Sequence, residues 1–220
     1  NGAVRYKTSE PSKFVPSDIL KYFPKERIQK MTGVQAKILF QTPFVKHVLQ
    51  SFGCCNDCSK QQLLKLFQQR CDVGIVPGGV DEMSRHKYGH EIVYIKKRKG
   101  FIKYAIQHGY TLVVAYTFGE SEMYSNINPK PINKIQQKIK GVFGFCFPIF
   151  CGKWYCPMLP KNDKHGLNTV LSDPIELPMI PNPTQEDIDK FHQLYVDTLV
   201  DIFEKNKSRF GCENKQLEIY

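Results

Sequence analysis

Residues 77–82 read Pro-Gly-Gly-Val-Asp-Glu, and this is the first place in the chain where chemistry is legible. Gly78 and Gly79 let a ligand come close to the backbone, and Glu82 offers a carboxylate that can accept hydrogen bonds from a hydroxylated ligand. A plain turn is the other reading of this segment. The second place is basic. Between Arg85 and Lys103 stand Arg85, Lys87, Lys96, Lys97, Arg98, Lys99 and Lys103 against one acid, Glu91, so +6 of the total +10 sits in nineteen residues. Arg98, Lys99 and Gly100 at a helix start can offer cations and backbone N–H groups to phosphates, although charge alone also fits a solvated face.

Other chemistry-bearing residues carry less. Cys54, Cys55 and Cys58, and then Cys146, Cys151 and Cys156, invite a zinc reading, but neither cluster has the second well-spaced pair a structural zinc site needs. Buried thiols, with no disulfides and no metal, are the expectation. His192 and Asp197 have an HxxxxD spacing, yet on one helix they lie about 140° apart around its axis, which keeps a base and its orienting carboxylate from meeting. His86 and His90 read as solvated loop histidines.

The elements that would position these groups alternate. Predicted strands cover Ala36–Phe40, Val73–Val76, Ile92–Ile95 and Thr111–Tyr116, and Thr169–Leu177 reads as an edge strand broken by Pro174. Gly33 reads as the end of an interrupted helical segment over residues 19–31. Further helices are expected from Thr42 to Gly53, after a Ser59/Gln62 capping box, from Lys99 to a Gly109 stop, and around Ile132 to Val142. A last helix follows the Thr184/Asp187 cap, with Ile188, Phe191, Tyr195, Leu199, Ile202 and Phe203 on one stripe. The expected fold is a single α/β domain over residues 1–220, with a mostly parallel mixed sheet flanked by helices. In such sheets ligands bind beyond the carboxyl ends of strands, which is where Gly78 and Gly79 fall.

Composition narrows the partners. The 220 residues are 41% hydrophobic and 24% charged, ordinary for a folded protein and unlike disorder, collagen or a coiled coil. Thirty-one Lys and Arg against 21 Asp and Glu point to a polyanionic partner: nucleic acid, an acidic membrane surface or a phosphorylated ligand. A basic nucleic-acid-binding domain wants aromatics interleaved with its cations, and only Tyr88, Tyr94, Phe101 and Tyr104 approach that pattern. The most apolar window, Gly141–Cys151, is too short to span a bilayer, which leaves surface docking open.

Several blocks in order resemble the type 2 diacylglycerol acyltransferase and monoacylglycerol acyltransferase family. They are Val76-Pro77-Gly78-Gly79-Val80-Asp81-Glu82, Arg98-Lys99-Gly100-Phe101 through Gly109, Leu112-Val113 leading to Phe118-Gly119-Glu120, and Pro183-Thr184-Gln185-Glu186-Asp187-Ile188-Asp189 through Phe210-Gly211. The resemblance implies a glycerolipid acyltransferase-like fold and transfer of a fatty acyl group from acyl-CoA to diacylglycerol or monoacylglycerol. It implies work at the cytosolic face of the endoplasmic reticulum membrane, with acyl-CoA as substrate, no cofactor and no nucleic acid. It places Gly78, Gly79 and Glu82 in the acceptor or active-site pocket and matches Phe101 and Glu120 without giving them roles. Arg98, Lys99 and Gly100 are the candidates for the CoA phosphates. The family's His-Pro-His-Gly motif, which carries the catalytic base, occurs nowhere in these residues. It is expected upstream of Asn1 with the first strand and a hydrophobic segment, so the chain reads as an N-terminally truncated form that is inactive alone. A non-catalytic acyl-CoA-binding or lipid-binding relative is the alternative.

Overall fold

Ser59 starts the first helix of the described residues by accepting the Gln62 N–H on its hydroxyl at 3.4 Å, which satisfies one of the amides a helix start leaves open. The computed structural model describes residues 32–35, 56–57, 59–127, 149–157, 159–161 and 166–220, in two units that divide after Val76. In the first unit β1 (Thr32–Gln35) lies between β2 (Asn56–Asp57) and β3 (Val73–Ile75), parallel to both. Helix α1 (Lys60–Gln68) makes the crossover from β2 to β3 and buries Leu63, Leu66 and Phe67. Gly33 stands inside β1 rather than ending a helix, because its backbone pairs with Gly74 in the parallel ladder.

The second unit runs α2 (Gly79–Arg85), β4 (Glu91–Val93), α3 (Gly100–His108), β5 (Thr111–Leu112), β6 (Ala115–Phe118), a 3-10 turn (Glu120–Glu122), β7 (Ser125–Ile127) and β8 (Ile149–Cys151). It continues through β9 (Asn168–Leu171), β10 (Ile175–Glu176), α4 (Gln185–Asn206) and β11 (Leu217–Ile219). Gly109 ends α3 with φ 60°, a left-handed turn that suits glycine. The predicted strand over Thr111–Tyr116 divides into β5 and β6, and the predicted break at Pro174 divides β9 from β10. Both interruptions fall opposite each other. Pro174 has no N–H to donate, and beside this break Ser172 takes the Val114 N–H on its hydroxyl at 2.9 Å while giving its own N–H to the Val114 carbonyl at 2.8 Å.

This return of the chain makes β5–β10 and β6–β9 antiparallel, as is β7–β8, while β4–β11 is parallel. Among the described residues parallel and antiparallel pairs are therefore equal in number, where strand and helix alternation led to the expectation of a mostly parallel sheet. The architecture is mixed α/β with small sheets.

Helix α4 holds the unit together. Thr184 and Asp187 form a complete capping box, and the apolar stripe beyond it meets two buried clusters. Leu199, Ile202 and Phe203 pack on Val114, Tyr116 and Phe118; Ile188 packs on Ile102, Ala105 and Ile106 of α3 and on Leu177. Phe203 stacks on Phe118 at 5.7 Å and meets Tyr116 edge-on at 5.4 Å. Burial of each such side chain is worth about 1.5–3 kcal/mol.

Strand β11, which the sequence reading did not foresee, is fastened by charge. Glu91 at the start of β4 is 3% exposed and accepts from Ser121 at 2.6 Å, Tyr116 at 2.7 Å and the Lys215 ammonium at 3.0 Å. Lys215 also reaches Glu122 at 2.7 Å. The predicted elements over residues 19–31, 36–40, 42–53 and 132–142 lie outside the described residues, as do Cys54, Cys55, Cys58 and Cys146.

Candidate active site

Gly78 is buried at the start of α2, and Glu82, one turn on, folds its carboxyl back over it. A Cβ at position 78 would collide with the Glu82 carboxyl and with its own Cβ, so only glycine leaves the carboxylate where it is. Gly79 has φ 54°, and open space surrounds its missing side chain. From this position Glu82 accepts the Tyr94 N–H on Oε2 at 2.8 Å. Burial pushes its pKa above the ordinary 4.5; the Tyr94 amide works against that shift and the charge of Glu120 works with it.

Glu120 opens the 3-10 turn beside this carboxylate. Gly119, before it, has φ 91° and faces the Gly166 carbonyl where a Cβ would stand. Glu120 is solvent-accessible as a residue, yet the protein around its carboxyl raises its pKa; His86 opposes the shift and Glu91 adds to it. The charge of Glu120 thus adds to burial in disfavouring the ionised form of Glu82.

Tyr195 of α4 joins them. Burial and the charge of Glu82 push its phenol up to about 12, and its ring meets Phe101 of α3 edge-on at 5.2 Å. Glu82 thus lies over Gly78 and within reach of the charges of Glu120 and Tyr195, and Tyr195 carries the contact on to Phe101. The sequence placed Tyr195 on an apolar stripe and in the last family-matched block without a role, and nothing in residue type marked Tyr94, whose contribution is a backbone amide.

The basic segment is partly committed to the protein itself. Arg98 pairs with Asp81, and its guanidinium lies over the Tyr94 ring at 5.5 Å, with Arg85 over the same ring at 4.6 Å. Lys99 donates to Asp189 at 2.7 Å, an oxygen that also accepts from Gln185, and these bonds hold the Asp189 carboxyl below its ordinary pKa. Gly100 is the exposed first residue of α3. Lys96 and Lys97 are exposed on the loop ahead of it.

The histidines separate. His192 is buried and gives its Nε2–H to the Ile95 carbonyl at 3.0 Å, and burial lowers its pKa. Asp197 accepts from Gln193 at 2.8 Å, so the HxxxxD residues serve different neighbours. His90 is exposed and bonds Glu218 at 3.0 Å. His86 departs from the solvated-loop expectation: it is half-buried, donates to the Tyr124 carbonyl at 2.8 Å and packs edge-on against Phe150 at 5.7 Å. It lines an open cleft of about 540 Å³ together with Arg85, Lys87, Tyr88 and Asn126, whose buried Oδ1 has no hydrogen-bond partner among the described residues. Among the described residues no group of His, Cys, Asp and Glu could hold a metal ion, and Cys151, Cys156 and Cys212 are free thiols. No helix of the described residues is long and apolar enough to cross a membrane.

Comparison with known proteins bears on the same residues. The family profile for diacylglycerol acyltransferase matches residues 14–220. The chain is 34% identical over 202 residues to diacylglycerol O-acyltransferase 2 of Dictyostelium discoideum, covering 86% of this chain and 60% of that protein. It is 35% identical to human acyl-CoA wax alcohol acyltransferase 1, over 80% of this chain and 56% of that protein. It is 34% identical to human diacylglycerol O-acyltransferase 2, over 82% of this chain and 49% of that protein. The chain thus spans about half the length of the curated relatives it matches. No solved structure matches it. The match takes in every residue gathered around Glu82 and runs to Tyr220, and by it the chain belongs to the diacylglycerol acyltransferase family.

Proposed function

We propose that this chain is the downstream part of an acyl-CoA-dependent acyltransferase that esterifies diacylglycerol, or monoacylglycerol, at the cytosolic face of the endoplasmic reticulum. The observation that carries this reading is the family-matched Glu82 carboxylate, protected over Gly78 beside Gly79, with Glu120 near it and Phe101 joined to it through Tyr195. In the reaction the acceptor hydroxyl attacks the thioester carbonyl, the C–S bond breaks, and CoA leaves as the thiol after taking up the hydroxyl proton. A general base must remove that proton. The proposal assigns it to the His-Pro-His-Gly histidine expected upstream of Asn1, on a first strand that extends the sheet in the glycerolipid acyltransferase manner.

Glu82 then sits where an acceptor glycerol would be held, and the glycines let its backbone come close. The CoA phosphates fall to Arg98, Lys99 and the first amides of α3 at Gly100, with Lys96 and Lys97 beside them. Because Arg98 and Lys99 already bond Asp81 and Asp189, phosphate must exchange with these carboxylates, which makes binding sensitive to salt.

The test has two arms. Membranes from cells expressing the chain with its upstream coding sequence, given labelled palmitoyl-CoA and diacylglycerol, are expected to form labelled triacylglycerol. No ester product with either glyceride would overturn the reading. In the second arm, changing Arg98 and Lys99 together to Ala lowers palmitoyl-CoA affinity about tenfold, a loss near 1.4 kcal/mol. Unchanged affinity removes these residues from the CoA site.

A further inference from the structure

Trp154 is the single tryptophan of the chain and is 91% exposed, with Tyr155 beside it 60% exposed. Aromatic rings carry large apolar surface that folds usually cover at least in part, so two in sequence this exposed at a loop tip ask for a reason. The loop is not slack. Gly152 gives its N–H to the Pro157 carbonyl at 2.7 Å, Lys153 gives its N–H to Leu159 at 2.9 Å, and Leu159 returns one to Cys156 at 2.9 Å. Gly152 is buried with the Leu159 carbonyl in the place of a Cβ, so the turn closes tightly on itself. The two rings stand perpendicular, 5.8 Å apart.

The base of this prong adjoins the cleft beside the candidate site. Lys161 donates to Ser125 at 2.7 Å, and its ammonium lies 5.2 Å from the centre of the Tyr88 ring, which lines the cleft. Phe150, on the strand leading into the prong, packs on His86 of the same cleft. Charge follows the aromatics: residues 149–161 carry two lysines and no acid, and Arg85 and Lys87 line the cleft mouth.

We propose that the Trp154–Tyr155 tip inserts into the interface of an anionic lipid bilayer and holds the cleft lined by Arg85, His86, Lys87 and Tyr88 against the membrane surface. Ring bodies that are apolar and tips that are polar suit the headgroup boundary, and lysines beside them meet anionic lipid. A protein partner is the weaker fit. Two aromatics offer about 400 Å², well short of the roughly 800 Å² a side that a stable protein interface buries, whereas a bilayer accepts a narrow tip without a matching surface. The inference rests on the acyltransferase reading only for what enters the cleft, since an acyl acceptor of that class resides in the bilayer.

Because Trp154 is alone, its fluorescence reports its own surroundings. The 220-residue chain is mixed with vesicles of about seven parts phosphatidylcholine to three parts phosphatidylserine, followed by emission and co-sedimentation. The expected result is a blue shift and quenching by phosphatidylcholine brominated on its acyl chains. Trp154→Ala lowers vesicle partitioning roughly tenfold, and Trp154→Phe retains most of it. Chain that fails to sediment with the vesicles, or that sediments with emission unshifted and unquenched, overturns the proposal. Vesicle binding needs no turnover, so its failure is separable from failure of the transfer assay.

Discussion

A single hydrogen-bonded carboxylate decides much of what the site can do. Burial raises the Glu82 pKa, so folding favours its protonated form: this contribution to stability is complete below the ordinary 4.5 and is lost as pH rises through the higher folded value. Glu82→Gln stays neutral and removes that loss. Thermal unfolding of the two proteins from pH 4 to 8 is expected to show the variant gaining on the parent as pH rises; parallel curves would contradict the burial of the carboxyl. The glycines and Glu82 were legible because their types and spacing are unusual. Tyr195 was not, since a tyrosine on an amphipathic stripe looks like core until the helix is seen against Phe101 and Glu82. Arg98 and Lys99 were legible as cations, but their carboxylate partners come from Asp81 and from Asp189 on α4, and no local pattern shows such pairs.

Elements with strong local signals appeared where expected: α4 behind its Thr184 cap, α3 before Gly109, α1 behind Ser59. Strand partners did not, because period and propensity describe one strand at a time and register is a property of two. The paired breaks at Val113–Val114 and Ser172–Pro174 show the difference: the proline was readable, and the serine that bonds across the break was not. Ser172→Ala leaves the buried Val114 N–H without its acceptor and is expected to cost about 1–3 kcal/mol by denaturant unfolding. A loss below about 0.5 kcal/mol would mean that the backbone closes the gap unaided.

Across the second unit, the bond network at Glu91 ties β4, β6, the 3-10 turn and the segment before β11. Burial acts to lower the Lys215 pKa, but its bonds to Glu122 and Glu91 win and raise it, so the ammonium stays charged. Lys215→Met strands a buried carboxylate and is expected to cost about 3 kcal/mol, most of it recovered when Glu91→Gln is added. If the double variant is no more stable than the single, the charge is not what matters. The same clasp sets a timetable. Among the described residues β4 pairs only with β11, and Lys215 follows Glu91 by 124 residues. A ribosome adding about 5–20 residues per second makes β4 wait on the order of ten seconds for its partner. Through that interval β4 is without the strand it pairs with in the fold, and an unpaired strand edge is the kind that pairs with other chains.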